Sequence, residues 1–209
     1  MSNTRPAKQQ VPPEALADLR AADPVIGALI DRIGPFDPSH EPELWWSLVD
    51  AICNQQLSIK AASTILGRIE RLAPDGRRPT PRELLETPDE ALRACGLSRA
   101  KVSYVKDLAS KWLDGTLEPE RFAELSDEEV IEHLVRVKGI GRWTAEMVLR
   151  FTLGRLDVWP VDDLGIRLAV QDAYALPEPP GRKELQEIGE ALRPWRSVAS
   201  FYLWRSRVA

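Results

Sequence analysis

Helical periodicity is the feature that most constrains the fold of this chain. Between residues 43 and 72, apolar side chains recur at the spacing that forms one stripe along a helix. The same pattern recurs in segments that begin at residues 81, 98, 126, 142, 163 and 182. Alternating β-branched runs joined by hairpin turns are missing. The sequence therefore predicts an all-α fold in which residues 43–72 form one helix.

Local signals mark where helices begin and where the chain turns. Ser126 followed by Glu129 has the spacing of a capping box. Residues 1–13 are polar and contain prolines, so we expect a flexible tail there. Breaks rich in proline and glycine, none of which resembles a linker between independent domains, fall at residues 34–43, 73–81 and 177–182.

Composition excludes several classes of protein. Cys53 and Cys95 are too few for a disulfide framework, a four-cysteine metal site or an iron–sulfur cluster. No run is long and apolar enough for a membrane span, and the N-terminus lacks the apolar core of a secretory signal. We therefore expect a reducing, cytoplasmic setting. The frequent arginine, alanine, leucine and proline residues suggest a GC-rich bacterial source.

The charge distribution is uneven. A net charge of −4 argues against a protein that coats nucleic acid by bulk attraction. However, residues 193–209 contain four arginines and no acidic residue, and residues 138–155 contain four basic residues against Glu146 alone. These segments are either local phosphate-facing surfaces or ordinary solvated faces.

The stretch 137-VKGIGRWTA-145 predicts a tight connection between two helices. Gly139 and Gly141 permit left-handed backbone and leave no side chain between the turn and an approaching group. A helix that begins at about Arg142 would offer N–H groups and a partial positive charge to an anion such as a DNA phosphate. The alternative is an ordinary helix connection with a glycine C-cap.

Two adjacent aspartates, Asp162 and Asp163, precede an apolar helical segment. An aspartate there is a preferred N-cap. One cap is sufficient, however, and Pro160 stiffens the chain that leads to the pair. A carboxylate held over a cleft can stabilise positive charge that develops on a sugar. The residues alone leave both interpretations open.

Five segments together resemble the helix-hairpin-helix DNA glycosylase superfamily, and within it the alkylation-repair branch of the DNA-3-methyladenine glycosylase II type. The resemblance covers roughly residues 40–207, with the segments in order and at compatible spacings. Besides the hairpin, the segments are AICNQQLSIKAA (51–62), LRACGLSRAKVSYVKDLA (92–109), DVWPVDDLGI (157–166) and RPWRSVASFYLW (193–204).

The resemblance implies two helical lobes with a cleft between them. One lobe comprises residues 14–35 and 165–209, and the other comprises residues 36–164 and carries the hairpin. Longer members have an additional N-terminal β-rich domain, which we expect this chain to lack. The implied partner is double-stranded DNA that contains alkylated bases. The protein is expected to bind it as a monomer and not to associate with a membrane.

The resemblance also assigns roles to individual residues. Asp163 matches the catalytic carboxylate, and Asp162 is then a cap or a support. Backbone N–H groups of the hairpin would contact a phosphate, and its carbonyls can hold a monovalent cation. No other cofactor is expected. The DNA-binding hairpin comprises Lys138, Gly139, Ile140, Gly141 and Arg142.

Aromatic residues are assigned to the pocket for the extruded base. Trp204 matches a residue of that pocket, whereas Trp45 and Trp46 are either pocket residues or core residues. Met147 stands where better-known members have a tyrosine, which leaves the range of lesions open. Trp143 replaces a lysine that attacks the sugar in the bifunctional glycosylase/lyases. Because tryptophan is no such nucleophile, the resemblance predicts a monofunctional enzyme that uses water.

Gln55 and Gln56 are expected in mid-helix. The resemblance places a side chain from this region in the duplex as a wedge, with Gln56 at the wedge position itself. The alternative is that the two glutamines are solvated or form hydrogen bonds in the core.

The expected function is excision of alkylated purines to leave an abasic site. A non-catalytic DNA-binding adaptor, or a glycosylase for deaminated, oxidised or mismatched bases, are the alternatives.

Overall fold

The computed structural model describes residues 11–35 and 43–207. Within these ranges the chain forms α-helices, two short 3-10 helices (Pro74–Gly76 and Pro119–Arg121) and no β-strand, which confirms the all-α prediction. None of the described helices has the length and apolar character that a membrane crossing requires. The α-helices are α1 (Pro13–Ala22), α2 (Pro24–Ile33), α3 (Leu44–Asn54), α4 (Ile59–Glu70), α5 (Pro81–Glu86), α6 (Asp89–Ala94), α7 (Arg99–Leu113), α8 (Asp127–Leu134), α9 (Arg142–Phe151), α10 (Leu164–Ala173), α11 (Arg182–Ala191) and α12 (Arg196–Ser206).

The chain divides into two compact units. The first comprises Met1–His40 and Leu149–Ala209, and the second comprises Glu41–Val148. The boundary expected between residues 164 and 165 therefore falls in the first unit, because residues 149–164 group with it. Residues 1–10 of the expected flexible tail lie outside the described residues, and α1 already begins at Pro13.

The central helix of the first unit is α12. Every residue from Ser197 to Leu203 is buried, and α12 packs against α2 and α10. Ser197 also fixes the segment that leads into α10. Its Oγ donates to the Arg155 carbonyl at 2.7 Å and accepts from the Val158 amide at 3.0 Å. The segment that leads to the paired aspartates is therefore bonded to the buried part of α12.

Trp159 anchors the same segment a second time. Its indole Nε1 donates to the Leu185 carbonyl of α11 at 2.8 Å. A Cβ atom on Gly189 would lie only 2.6 Å from Trp159 Cδ1. Glycine at position 189 thus leaves room for the indole to pack directly on the α11 backbone.

The central helix of the second unit is α7, which packs against α3, α5 and α6. Its buried residues Val102, Val105, Leu108 and Ala109 recur at helical spacing and form one apolar stripe. In α12, by contrast, the seven consecutive residues from Ser197 to Leu203 are buried, so no side of that part of the helix is exposed.

The sequence prediction of one continuous helix over residues 43–72 was wrong. Between α3 and α4 the chain turns, and Gln56 adopts a left-handed conformation with φ +57°. Ser58 is the N-cap of α4 and accepts from the Ala61 amide at 3.3 Å. Periodicity alone does not reveal this break, because Ile52 and Ile59 are seven residues apart, which equals about two helical turns.

Prolines divide two further segments that the pattern had joined. Pro88 separates α5 from α6, and Pro194 separates α11 from α12. Proline lacks an N–H donor and disfavours helical backbone in the residue before it. Periodicity did not single out residues 13–33, where α1 and α2 lie, although the resemblance placed residues 14–35 in a helical lobe.

The capping box expected at Ser126 is confirmed. Ser126 Oγ accepts from the Glu129 amide at 3.4 Å. In return, Glu129 Oε2 accepts from the Ser126 amide at 2.8 Å and from its hydroxyl at 2.6 Å. This reciprocal arrangement satisfies N–H groups at the start of α8.

Gly189→Ala should lower the free energy of unfolding by about 2 kcal/mol, because the new methyl group overpacks the ring of Trp159. Urea denaturation measures this change. Gly67→Ala is the matched control, since a Cβ there would meet only the end of the Arg71 side chain at 3.9 Å. That substitution should raise stability by up to about 1 kcal/mol. Equal effects of the two substitutions would contradict the packing assigned to Trp159.

Candidate active site

Asp163 is held in a fixed direction at the N-terminus of α10. It is the N-cap of that helix, and its Oδ1 accepts from the Ile166 amide at 2.7 Å. The same oxygen accepts from the indole Nε1 of Trp204 at 3.2 Å. The residue is only 6% exposed. A buried carboxylate thus lies at the positive end of a helix, and two N–H donors orient it.

Asp162 is exposed, and its carboxylate pairs with the guanidinium of Arg182. The expectation that Asp162 could cap the helix is wrong, because the cap is Asp163. The Asp163 amide donates to the Pro160 carbonyl at 3.0 Å. The turn closed by this bond leaves residue 163 directly before the first helical residue. A supporting role for Asp162 stays a prediction.

Gly165 makes the contact between Trp204 and Asp163 possible. A Cβ atom at position 165 would lie 3.0 Å from Asp163 Oδ1 and 3.0 Å from Trp204 Nε1. The side chain of any larger residue would therefore press against both the indole and the carboxylate. Gly165 was not among the predicted site residues, although its place two residues after Asp163 was an available signal.

The indole of Trp204 is packed against two residues of α9. Its ring stacks on Phe151 with 5.6 Å between centroids and 3° between planes. The guanidinium carbon of Arg150 lies 4.3 Å from the Trp204 ring centroid. This guanidinium covers part of the indole that was predicted to line the pocket for the extruded base.

Arg150 has a buried side chain, although the sequence indicated only that it was one charge of a basic segment. It is 3% exposed. Its guanidinium carbon also lies 4.8 Å from the Phe201 centroid and 5.2 Å from the Phe151 centroid. The guanidinium Nη2 donates a hydrogen bond to Ser200 Oγ. Arg150 thus packs against three aromatic rings and helps to fix Trp204.

The hairpin rests on Tyr104 of α7. Gly139 has φ +80°, and a Cβ atom there would lie 2.2 Å from Tyr104 Cδ2. Only glycine therefore allows this turn to lie flat on the ring. Ile140 is buried and its amide donates to the Val137 carbonyl at 3.1 Å, whereas Gly141 is exposed. The Ile140 amide, expected to face a phosphate, is engaged inside the turn.

The basic residues that flank the hairpin are paired within the protein. Arg142 forms ion pairs with Glu128 and, at 3.1 Å, with Glu146. The hydrogen bond that Arg142 donates to Glu128 is the main cause that raises the pKa of its guanidinium. The Lys138 amide donates to Asp107 at 2.9 Å, and its Nζ lies 3.7 Å from the same carboxylate. Much of the positive charge read from the sequence is balanced by acidic residues that lie elsewhere in the chain.

Arginines of the C-terminal segment are balanced in the same way. Arg193 and Arg196 both pair with Asp157, at 2.7 Å and 2.6 Å. Arg207 lies 3.5 Å from Asp172. These contacts favour a structural role for the three arginines over a phosphate-facing surface.

Trp143 and Met147 lie four residues apart and share one face of α9. Trp143 is 46% exposed, and Met147 is half-buried. An indole exposed to this degree is well placed to contact a partner.

Trp45 and Trp46 lie in the packed interior of the second unit. The Trp45 indole donates to the Pro79 carbonyl at 2.8 Å and meets Trp112 edge-on, with 5.3 Å between centroids. Trp46 is buried, and the guanidinium carbon of Arg78 lies 5.3 Å from its ring centroid. These contacts are typical of core residues.

Gln55 and Gln56 lie in the turn between α3 and α4, and they differ in their surroundings. Gln55 Nε2 donates to the Gly139 carbonyl at 2.7 Å, which joins this turn to the hairpin. Gln56 is exposed. Both residues were predicted as wedge candidates, and the bond from Gln55 to Gly139 was not predicted.

The described residues offer little for metal or thiol chemistry. Among the described residues, no cluster of histidine, cysteine, aspartate and glutamate is suited to a metal ion. The peptide carbonyls of the hairpin are hard donors that fit a monovalent cation, although those of Val137 and Gly139 also accept hydrogen bonds. Burial, and next the charge of Asp50, raises the pKa of the Cys53 thiol to about 12, so it is a poor nucleophile.

Comparison with protein families gives one match over most of the chain. Residues 49–194 match the model described as HhH-GPD superfamily base excision DNA repair protein. The matched range contains the hairpin, the paired aspartates and the cis peptide bond between Arg193 and Pro194.

Individual relatives resemble the chain over nearly its whole length. DNA-3-methyladenine glycosylase 1 of Schizosaccharomyces pombe is 38% identical over 182 residues, which is 85% of this chain and 80% of that protein. A structure of a 3-methyladenine DNA glycosylase from this organism with abasic DNA matches with a TM-score of 0.84, 36% identity and 94% and 97% coverage. A DNA-3-methyladenine glycosidase of Bacillus halodurans matches with a TM-score of 0.86, 36% identity and 95% and 91% coverage.

Gly165→Ala should displace the indole of Trp204 from Asp163, because the added methyl group occupies the space between them. In a ¹H–¹⁵N spectrum, the Trp204 indole N–H resonance should move upfield as its hydrogen bond weakens, while the other indole resonances stay in place. Gly181→Ala is the control, since a Cβ there meets nothing within 4 Å. An unchanged Trp204 resonance would show that Gly165 does not set this contact.

Proposed function

Since this chain belongs to the HhH-GPD superfamily of base excision DNA repair proteins, we propose that it is a monofunctional DNA glycosylase. It extrudes alkylated purines of the 3-methyladenine kind from double-stranded DNA and hydrolyses their N-glycosidic bond. The observation that carries the proposal is the buried Asp163 carboxylate, oriented by Ile166 and Trp204. The relatives named for 3-methyladenine, one of them in complex with abasic DNA, support the substrate class and the product.

Extrusion of the damaged nucleotide comes first, because its base is unreachable inside the duplex. Rotating it out costs roughly a few kcal/mol, and a lesion that stacks or pairs poorly lowers that cost. In our proposal, the exposed Gln56 fills the gap left in the duplex. The hairpin Lys138–Arg142 grips the backbone beside it, through the exposed glycines Gly139 and Gly141.

The chemical step separates base and sugar. The bond between C1′ and the purine nitrogen breaks, and its electron pair leaves with the base. A purine alkylated at N3 or N7 starts with a positive charge and departs neutral, so it needs little help from an acid. The sugar is left as an oxocarbenium-like cation, which the carboxylate of Asp163 stabilises. A water oxygen then bonds to C1′ and loses one proton to the surrounding water, which yields the neutral abasic site.

The folded structure supplies much of the catalytic advantage in advance. Because the Ile166 amide and the Trp204 indole already orient Asp163, its charge needs little reorganisation when the cation forms. A freely rotating surface carboxylate in water would be less effective, since solvent would screen it and its direction would vary.

The extruded base is expected to meet aromatic side chains. Trp143 offers an exposed indole that attracts a cationic base, and Met147 follows it on the same face of α9. Trp204 contributes mainly through the edge that reaches Asp163, because Arg150 and Phe151 pack on its ring. We do not include Trp45 and Trp46 in the pocket.

The remaining parts of the proposal concern surroundings and accessory groups. The enzyme works as a monomer on chromosomal DNA in the bacterial cytoplasm, at the nucleoid. A monovalent cation at the hairpin carbonyls would add positive charge beside a DNA phosphate. No step of the hydrolysis depends on that cation.

Asp163→Asn should slow release of 3-methyladenine from methylated duplex DNA by at least about a hundredfold, because the charge that stabilises the sugar cation is lost. Asparagine is also a good N-cap, so α10 should remain intact. Single-turnover excision, with the released bases separated by chromatography, measures the rate.

The control for this substitution is Asp162→Asn, which removes the neighbouring exposed carboxylate and should leave the rate within about threefold. Equilibrium binding of undamaged DNA should be unchanged in both variants. Excision by Asp163→Asn at the normal rate would remove Asp163 from the mechanism. Release of uracil or oxidised guanine in preference to alkylated purines by the unaltered enzyme would replace the proposed substrate class.

The product strand should stay intact until alkali cleaves it, because Trp143 stands where a lyase has its amine. Borohydride added during excision should therefore trap no covalent adduct between protein and DNA. Trp143→Lys supplies an amine at this position and serves as the positive comparison, with at most trace trapping expected. Adduct formation by the unaltered protein would show a lyase and contradict monofunctional hydrolysis.

A further inference from the structure

We propose that one face of α7, formed by Lys101, Tyr104 and Asp107, holds the α3–α4 turn and the hairpin in a fixed mutual arrangement. In this arrangement, Lys101 and Gln55 are positioning residues for the turn that enters DNA. The inference rests on the proposed function, because it assigns these residues to the loops that would contact the duplex. We call the three residues of α7 the supporting face.

The turn that needs support is residues 55–58. Gln56 has φ +57°, a conformation that residues with a side chain rarely adopt. Gln56, Leu57 and Ser58 are all exposed, so little packing restrains them from outside. The conformation is therefore maintained by contacts from within the second unit.

Lys101 supplies the first of these contacts. Its Nζ donates to the Cys53 carbonyl at 2.8 Å and to the Gln55 carbonyl at 2.7 Å. The C-terminal end of α3 lacks partners within the helix and carries partial negative charge, so an ammonium group is well suited to it. Lys101 thus fixes the backbone immediately before Gln56.

The hairpin is held by the next residues along the same face of α7. Tyr104, three residues after Lys101, packs against Gly139. Asp107, three residues further, accepts from the Lys138 amide at 2.9 Å. Because residues three apart are neighbours on a helix surface, one rigid element supports both loops.

Gln55 connects the α3–α4 turn directly to the hairpin. Its backbone carbonyl accepts from Lys101, and its side chain donates to the Gly139 carbonyl at 2.7 Å. The polar end of Gln55 is thus committed to the hairpin, whereas the exposed Gln56 is available to the duplex. The contacts therefore give the two glutamines different functions.

A fixed spacing between the two loops has a physical consequence for base extrusion. The hairpin sets the register on the DNA backbone, and the turn must then meet the duplex at the extruded nucleotide. If the turn were mobile, ordering it would oppose insertion. Preorganisation by α7 removes that cost before DNA binds, so losing it should slow excision even at saturating enzyme.

Amide hydrogen exchange tests the support without using activity. The Leu57 amide donates to the Asn54 carbonyl at 3.1 Å and reports on the turn. Lys101→Met keeps the aliphatic stem and removes the ammonium group, so exchange at Leu57 should be about tenfold faster. Lys106→Met is the control, because Lys106 lies on the same helix and pairs with Asp89 at 2.7 Å instead. It should leave exchange at Leu57 unchanged.

Excision kinetics test the positioning role. Single-turnover release of 3-methyladenine at saturating enzyme should be about tenfold slower in Lys101→Met and in Gln55→Met, which keeps the size of the side chain, removes its donor and adds no charge. Binding of undamaged DNA should stay within about twofold. Lys101→Arg, which can still donate to both carbonyls, should recover most of the rate.

The possible outcomes separate the two proposals. Unchanged exchange at Leu57 in Lys101→Met, or exchange accelerated equally at core amides, would overturn the support assigned to Lys101. Faster exchange at Leu57 with a normal rate of excision would overturn its positioning role. If the unaltered enzyme releases no alkylated base, the proposed function fails and the positioning role falls with it, while the exchange result still decides whether Lys101 holds the turn.

Discussion

Two N–H groups, from the Ile166 backbone and the Trp204 indole, converge on one oxygen of Asp163, and the candidate site of the first unit is built around that convergence. The position of Asp163 and the position of the Trp204 indole both depend on α12. Ser197 of α12 holds the segment that leads to the aspartate, and Trp204 of the same helix contacts the carboxylate itself. Since residues 197–203 of α12 are buried in the core, the packing of the core holds the groups that orient the carboxylate.

Capping and catalysis are compatible roles for one aspartate. A cap fixes the direction of a carboxylate at no extra cost to the reaction, because folding has already ordered it. Gly165 then lets an indole approach to hydrogen-bonding distance, which an alanine would hinder. In the second unit, α7 has a comparable function, because it supports the hairpin through Tyr104 and the α3–α4 turn through Lys101. In each unit a central helix positions groups that the sequence places far apart.

Local patterns predicted the parts of this structure that local forces determine. The all-α fold and the capping box at Ser126 follow from periodicity and from contacts within four residues. The turn at Gln56 was missed because the apolar residues on its two sides keep the spacing of one continuous helix. Ion pairs were missed for a different reason: Arg142 meets Glu128 across 14 residues and Arg196 meets Asp157 across 39. Such pairs depend on how helices pack, so a charge count along the sequence overestimated the basic surface.

The claim that Asp163 stabilises a cationic sugar is tested most directly by binding, without any turnover. Two duplexes are compared, one with a pyrrolidine in place of deoxyribose, which is cationic at neutral pH, and one with a neutral tetrahydrofuran. The unaltered protein should bind the pyrrolidine duplex at least about a hundredfold more tightly than the neutral one. In Asp163→Asn this preference should fall to a few-fold. An equal preference in both proteins would contradict the account, because the attraction would then come from some other group.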